Sequence, residues 1–420
     1  MTEVALVGAT FYGNRGAEAM LTTTIALLRR RRPDMRFNVF SYYPVKDRAS
    51  ISDGHVRVFS ATPAQLVLAL LPLALLYVLL GIPGLRGLRR SLPESIQALA
   101  RSKALICLAG VSFIDGREKF LPFNVATILP AMLVGVPVVK FAQAVGPFDK
   151  GANRLAARLF LTRCARVFTR GAVTHSHLAD RFDGSFFERA NDVAFSFRPE
   201  YSLTRGAEGV DAIVQRAEAS RAGGAAVVGI CPSVVVAKRR AAHGRDYADE
   251  VAALVTSLHG AGRAVVVFPN ATRGDDPDKT HNNDLPLLAD VRARLPDDVR
   301  SAVTVVDASV NAADVHRIIA ACDVVVTSRF HAMVGALVCA KPVLVLGWSH
   351  KYREVMALFG LEDHVFDDSI AEVAALVHRV DDLIEHGADL SAGIARRLGA
   401  VQALASRQVD YVDGLLGRGT

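Results

Sequence analysis

Short apolar runs rich in Val and Ile alternate along the chain with longer stretches whose apolar residues recur at helical spacing. That is the pattern of βαβ units on a parallel sheet, whose strands are covered on both faces and read as unbroken apolar runs. Strands are predicted at 4–7, 37–40, 56–59, 104–108, 137–141 and 167–169 in the first half. In the second half they fall at 227–231, 264–268, 303–306, 324–327 and 343–346. Between the sets, 198–224 holds Pro199, scattered charges and a Gly-Gly pair, and reads as a linker region. The expected fold class is α/β, with two doubly wound, Rossmann-like domains (1–197 and 225–369) facing each other across a cleft. Ligands are expected at the carboxyl ends of the strands. Residues 370–420 are helical in pattern and predicted to pack back across the domains.

One segment breaks the alternation. No charge occurs from Val58 to Leu85; Pro72 interrupts the run, and Arg86, Arg89 and Arg90 follow it. Its length would allow a membrane span. A span would place strand 4–7 on one side of the membrane and the second-half strands on the other, and the first sheet could not form. The segment 58–90 is therefore read as an apolar helical insert at the edge of the N-terminal domain. It would dip into the cytoplasmic membrane face with its arginines on anionic headgroups. A buried helical hairpin and an oligomer interface are the alternatives.

Composition changes this picture little. With 51% apolar and 22% charged residues in 420, the chain is globular and long enough for two cores. The net charge of +7 suits an anionic small molecule, membrane surface or nucleic acid. Nucleic acid is not expected, because the basic residues lack aromatic interleaving and any recognition motif. The cysteines, Cys107, Cys164, Cys231, Cys322 and Cys339, are scattered without a CxxC pair, so neither a disulfide framework nor a zinc site is indicated. Strand 4–7 leaves no room for a signal peptide, and a reducing, cytoplasmic compartment is expected.

Two glycine-bearing loops hold the candidate chemistry. After strand 4–7 comes Gly8-Ala9-Thr10-Phe11-Tyr12-Gly13-Asn14-Arg15-Gly16-Ala17-Glu18-Ala19, leading into a helix. The spacing is not GxGxxG, and Asn14 and Arg15 stand where a phosphate-binding GxxxxGK[ST] loop has Lys and Ser/Thr. Asn14 could bond a sugar or phosphate and Arg15 pair with an anion; a plain tight turn is the alternative. After strand 324–327, Ser328-Arg329-Phe330-His331 opens another helix. Guanidinium, imidazole and hydroxyl beside an already positive helix end suit an anion site better than a structural turn.

At these residues the sequence resembles the polysaccharide pyruvyl transferase family. The resemblance rests on Ser328-Arg329-Phe330-His331 with Ala336, Lys341-Pro342 and strand 343–346, and on the segment Trp348 to Met356. It also rests on Asn14-Arg15-Gly16-Ala17-Glu18-Ala19, Gly110-Val111-Ser112-Phe113, Gln143-Ala144-Val145-Gly146-Pro147, Arg170-Gly171 and Asn191-Asp192-Val193-Ala194-Phe195. Two elements depart from the family pattern: Ala109 replaces a glycine, and Gly171 stands in place of a glutamate. The resemblance implies a GT-B-like fold and phosphoenolpyruvate as donor. It further implies a glycan or lipid-linked oligosaccharide as acceptor and a pyruvate ketal as product, with no metal or cofactor.

In that chemistry His331 is the expected acid, since imidazole titrates near neutrality, and Arg329 binds the donor's phosphate or carboxylate. Ser328, Asn14, Arg15 and Gly16 would complete the substrate cradle, with Arg170 and Lys351 at the other anionic end. A nucleotide-sugar glycosyltransferase is the nearest rival, and an inert glycan-binding or membrane scaffold the other. The loop 274–284 crowds Asp275, Asp276, Asp278 and Asp284 with His281 but lacks calcium-loop spacing, and is read as a solvated loop at the mouth of the cleft, with acceptor contact as the alternative. His175 and His177, two apart on a helix start, do not share a face and are left as surface or core residues.

Overall fold

The computed structural model describes residues 2–273, 282–347, 349–366 and 372–417. The chain forms two compact units. One comprises Met1–Phe11, Met20–Ser196 and Gln402–Thr420, the other Tyr12–Ala19 and Phe197–Val401. Numbered along the chain, the strands are β1 (Glu3–Val7), β2 (Gly13–Asn14), β3 (Arg36–Ser41), β4 (Val56–Ser60), β5 (Leu105–Cys107), β6 (Val111–Ile114), β7 (Val138–Gly146), β8 (Arg166–Arg170) and β9 (Phe187–Ala190). They continue as β10 (Val227–Cys231), β11 (Ala264–Val267), β12 (Ala271–Thr272), β13 (Thr304–Val305), β14 (Val324–Thr327), β15 (Val343–Leu346) and β16 (Val365–Phe366).

The first unit carries a parallel sheet in the order β4-β3-β1-β5-β7-β8-β9, with β6 pairing on β7. The order reverses between β1 and β5, a topological switch point, and the apolar runs of both strands are buried as expected. Gly8, at the end of β1, has φ +90°, and a Cβ there would come within 2.6 Å of the Ala109 amide nitrogen. Only glycine fits the strand's exit. Strands β6 and β9 were not legible in the sequence, and β7 runs five residues beyond the predicted end at 141.

The apolar insert belongs to this unit. Thr62 caps its helical run by accepting from the Gln65 amide (3.4 Å). Pro72 can donate no amide to the ladder, and the preceding turn, Leu66–Leu70, widens into a π-helix before Leu71–Leu79 continues as α. Leu66, Leu70 and Ala74, four residues apart, are buried, while Leu68 is 76% and Leu79 62% exposed. Each buried leucine anchors the run by about 2 kcal/mol. The alternative of a fully buried hairpin is therefore excluded. Among the described residues no helix is long and apolar enough to cross a membrane.

The second unit has a parallel sheet in the order β13-β11-β10-β14-β15-β16, again with its reversal beside the first strand. The predicted linker 198–224 is corrected here. Its latter part is the helix Val210–Ala222, tied to the sheet by Arg221, which donates to Asp323 (2.8 Å). The other oxygen of Asp323 accepts from the Val227 amide (2.8 Å). The helical tail divides as well: Gly387–Gly417 begins in the second unit, and its end from Gln402 belongs to the first. There Gln408 bonds the Ala142 amide and the Asn191 carbonyl (2.8 Å for the latter).

His316, on the helix Ala312–Ala321, is buried against Phe197 with ring centroids 4.6 Å apart. Burial pushes its pKa down to about 4 from an ordinary 6.5. The folded protein resists protonation there while the unfolded chain does not. The stability contribution is complete above pH 6.5 and is lost as pH falls toward 4. Unfolding free energy should drop by roughly 1.4 kcal/mol per pH unit in that window from this group. Urea titrations across the window should show a shallower slope in His316→Gln; an unchanged slope would refute the assignment.

Candidate active site

Strand β14 ends at Thr327 beside Cys231 of β10, where the strand order of the second unit reverses. Thr327 holds the turn that follows: its hydroxyl donates to the Cys231 carbonyl (3.1 Å) and accepts from the Arg329 amide (2.9 Å). The Ser328 and Tyr247 hydroxyls are hydrogen-bonded at 2.7 Å, and Tyr352 donates to the Ser328 carbonyl (3.0 Å). Burial pushes the Tyr247 phenol up, so it stays protonated.

Arg329 is also braced. Its guanidinium donates to Asn282 (2.8 Å) and forms an ion pair with Asp284. Asp284 is 0% exposed and accepts in addition from the amides of Val234 (3.1 Å), Asn270 (3.2 Å) and Ala271 (2.9 Å). A carboxylate taken wholly out of water needs such compensation.

The N-terminal glycine loop reaches the same scaffold. β2 pairs antiparallel with β12, setting Asn14 opposite Ala271, and the Arg15 amide donates to the Asn270 carbonyl (3.1 Å). Residues 270–271 therefore hold Asp284 with their amides and the glycine loop with their strand edge. Asn14 accepts from the Gly16 amide (3.0 Å), starting the helix Arg15–Arg31. Arg15 pairs with Glu18 (2.9 Å), which is fully buried and also accepts from Thr204 and from the Ala312 amide (3.0 Å). Burial raises the Glu18 carboxyl above its usual range, against the pull of Arg15. Gly16 lies against His331: a Cβ at residue 16 would overlap the imidazole around Nδ1. The Nε2 of His331 is buried, and the Lys351 ammonium lies 5.2 Å from the Phe330 ring centroid and 5.3 Å from that of Tyr352.

Asn14, Arg15, Gly16, Ser328, Arg329, His331 and Lys351 all belong to the second unit. Arg15, expected to pair with a ligand anion, already pairs with buried Glu18, as Arg329 does with Asp284. One expectation needs correction. The loop 274–284 was read as solvated, yet Asn282 and Asp284 hold Arg329; residues 274–281 and Trp348 lie outside the described residues. Tyr247, Asp284 and Glu18 were missed. Glu18 stood inside the quoted motif, and Asp284 was visible only as one carboxylate among several.

Arg170 lies in the first unit, where the remaining motif elements converge. It pairs with Asp192 (3.1 Å) and lies 3.6 Å from where a Gly110 Cβ would be. Ser112 bonds Gln143, and Asp192 accepts from the Ala194 amide (3.0 Å). His177 bonds the Val145 carbonyl (3.1 Å) and His175 the Thr169 hydroxyl (3.2 Å). In the second unit a cavity of about 870 Å³, lined by Arg273, Asn283, Arg292 and Ser309 among others, lies near the glycine loop but does not include Ser328, Arg329 or His331.

The family model for polysaccharide pyruvyl transferase matches residues 14–350, which hold both loops and the first-unit cluster. The chain belongs to the polysaccharide pyruvyl transferase family. Membership makes it a transferase of polysaccharide biosynthesis. A search of curated protein sequences finds no match. Solved structures similar in fold include MnaA from S. aureus in a UDP co-structure, with TM-score 0.60 and 11% identity over 99% of this chain and 97% of that one. A ugt transferase from Siraitia grosvenorii in complex with UDP gives 0.59 and 12% over 99% and 100%. A UDP-GlcNAc 2-epimerase from Neisseria meningitidis gives 0.52 and 13% over 98% and 99%. At such identities the likeness concerns fold alone, and this pyruvyl transferase family member shares the GT-B-like fold class, with two Rossmann-like domains.

Proposed function

We propose that this family member transfers the pyruvyl group of phosphoenolpyruvate to a sugar of a cell-surface polysaccharide, or of its lipid-linked precursor, as a ketal. The observation that carries the reading is the placement of His331 beside Arg329 at a switch point, fixed against Gly16 of the N-terminal loop. His331 protonates the methylene carbon of the enol, which makes C2 an oxocarbenium-like electrophile. One sugar hydroxyl adds to C2 and its proton restores the imidazole. A second hydroxyl adds as the C2–O bond to phosphate breaks, and its proton leaves with the phosphate. Water would compete with both hydroxyls, and the burial of Nε2 suits a site that excludes it.

Arg329, braced by Asp284 and Asn282, binds the donor's anionic end, with Ser328 next to it in the turn and Lys351 over the Phe330 ring. Arg170 belongs to the other unit, where it pairs with Asp192. The reading needs no metal or cofactor. It places the reaction in the cytoplasm, in keeping with five free thiols.

Thermal unfolding separates this reading from its rivals. Phosphoenolpyruvate at a hundredfold excess over its Kd should stabilise the protein by about 2.7 kcal/mol, and UDP should not. Stabilisation by UDP alone would favour a nucleotide-sugar transferase, and by neither an inert scaffold.

A further inference from the structure

The insert of the first unit leaves an apolar face uncovered. Leu68, Leu75, Leu79, Ile82, Leu85 and Leu88 are all exposed, while Leu66, Leu70 and Ala74 hold the helix to the core beneath. Contiguous exposed apolar surface of this kind marks an interaction site. Within the insert the charge is basic: from 54 to 93 there is no acid, and Arg86, Arg89 and Arg90 close the run, while Arg57 at its start is paired with Glu3 (3.0 Å) and Glu94 (3.1 Å). Two of these arginines are fixed at the end of the leucine helix. Arg86 donates to the Gly81 carbonyl (2.9 Å) and Arg89 to the Tyr77 carbonyl (2.8 Å), with its guanidinium 4.1 Å from the Tyr77 ring centroid.

The face continues beyond the insert. Val67 and Leu71 border an apolar groove of about 490 Å³ whose other wall includes Leu121, Val125 and Ala156. Glu118 also lines it, and its carboxylate accepts from the Gly116 amide (2.8 Å). The helix Gly151–Phe160 that contributes Ala156 carries exposed Leu155 and Leu159 next around its circumference, and then Arg158 and Arg154.

The geometry points to this face as a docking surface for an anionic phospholipid bilayer. Aliphatic side chains bordered by arginines match hydrocarbon below a layer of phosphates. A protein partner would call for a mixed rim of donors and acceptors; here Glu118, already bonded to the Gly116 amide, stands against Arg86, Arg89, Arg90, Arg154 and Arg158. A second copy related by a twofold axis would set arginines against arginines. The inference does not depend on the donor assignment, because docking is read without any substrate.

The test is sedimentation of the full chain with phosphatidylcholine vesicles, with and without phosphatidylglycerol, alongside light scattering for mass. The protein should bind the phosphatidylglycerol vesicles, and the double variant L68D/L79D should lose at least about tenfold in partitioning. The triple variant R90E/R154E/R158E should lose the preference for anionic lipid. If L68D/L79D fails to fold, Ile82→Asp, outside the helix and away from the core, serves in its place and should show the same loss. Absence of vesicle binding, unchanged binding by the aspartate variants, or a wild-type dimer that L68D/L79D splits would overturn the assignment.

Discussion

His331→Ala should cut phosphate release from phosphoenolpyruvate, with acceptor present, by about 10²–10⁴-fold while leaving the fold intact. The methylene carbon of an enol is a poor base, and without a positioned acid its protonation falls to water. Gly16→Ala should imitate that loss without touching the imidazole. The added methyl would overlap His331, so either the ring or the loop must move. The residue stands in the second position of the helix Arg15–Arg31, where alanine is otherwise acceptable. Full activity in His331→Ala would remove the proposed acid. Full activity in Gly16→Ala would show that the ring's position is not what matters. Both are read by phosphate release, with circular dichroism confirming the fold.

Arg329→Ala should do two things at once. It should abolish stabilisation by phosphoenolpyruvate, and it should itself cost roughly 3–5 kcal/mol, because Asp284 would remain buried without its cation. Urea unfolding distinguishes the two effects. A residue that served only the ligand would leave unfolding free energy unchanged. In a double-mutant cycle, Asp284→Ala combined with Arg329→Ala should cost less than the two single changes summed, since the second removal takes away a charge already stranded. Additive costs would show that the pair does not act as a unit.

Much of the fold was legible because a parallel sheet covered on both faces writes itself as apolar runs. β1, β10 and β14 fall at or within a residue of their predicted ends. What escaped was of two kinds. Two-residue strands such as β2 and β12 have no periodicity to detect, yet their pairing brings the glycine loop to the second unit. The helix Val210–Ala222 was hidden by charges that mark its solvent side. At the site, motif residues were found, but their partners were not. Asp284 and Tyr247 act through contacts 45 and 81 residues away in sequence, and no local pattern specifies them. The consequence is substantive: Arg15 and Arg329, which read as cations awaiting an anion, each already hold a buried carboxylate.

The assignment of Tyr12–Ala19 to the second unit has a consequence for how this chain is made. A fragment beginning at Phe197 would carry the Ser328–His331 turn but no β2, leaving β12 without its partner and the Ala312 amide without the Glu18 carboxylate. During synthesis the residues that complete that unit emerge first and must wait until β12 and the helix Ala312–Ala321 have been added. The second unit cannot mature as a free-standing module. It closes only when a segment near the start of the chain is captured by one translated some 250 residues later, a loop closure that favours slow, late completion of the packing around the Ser328–His331 turn.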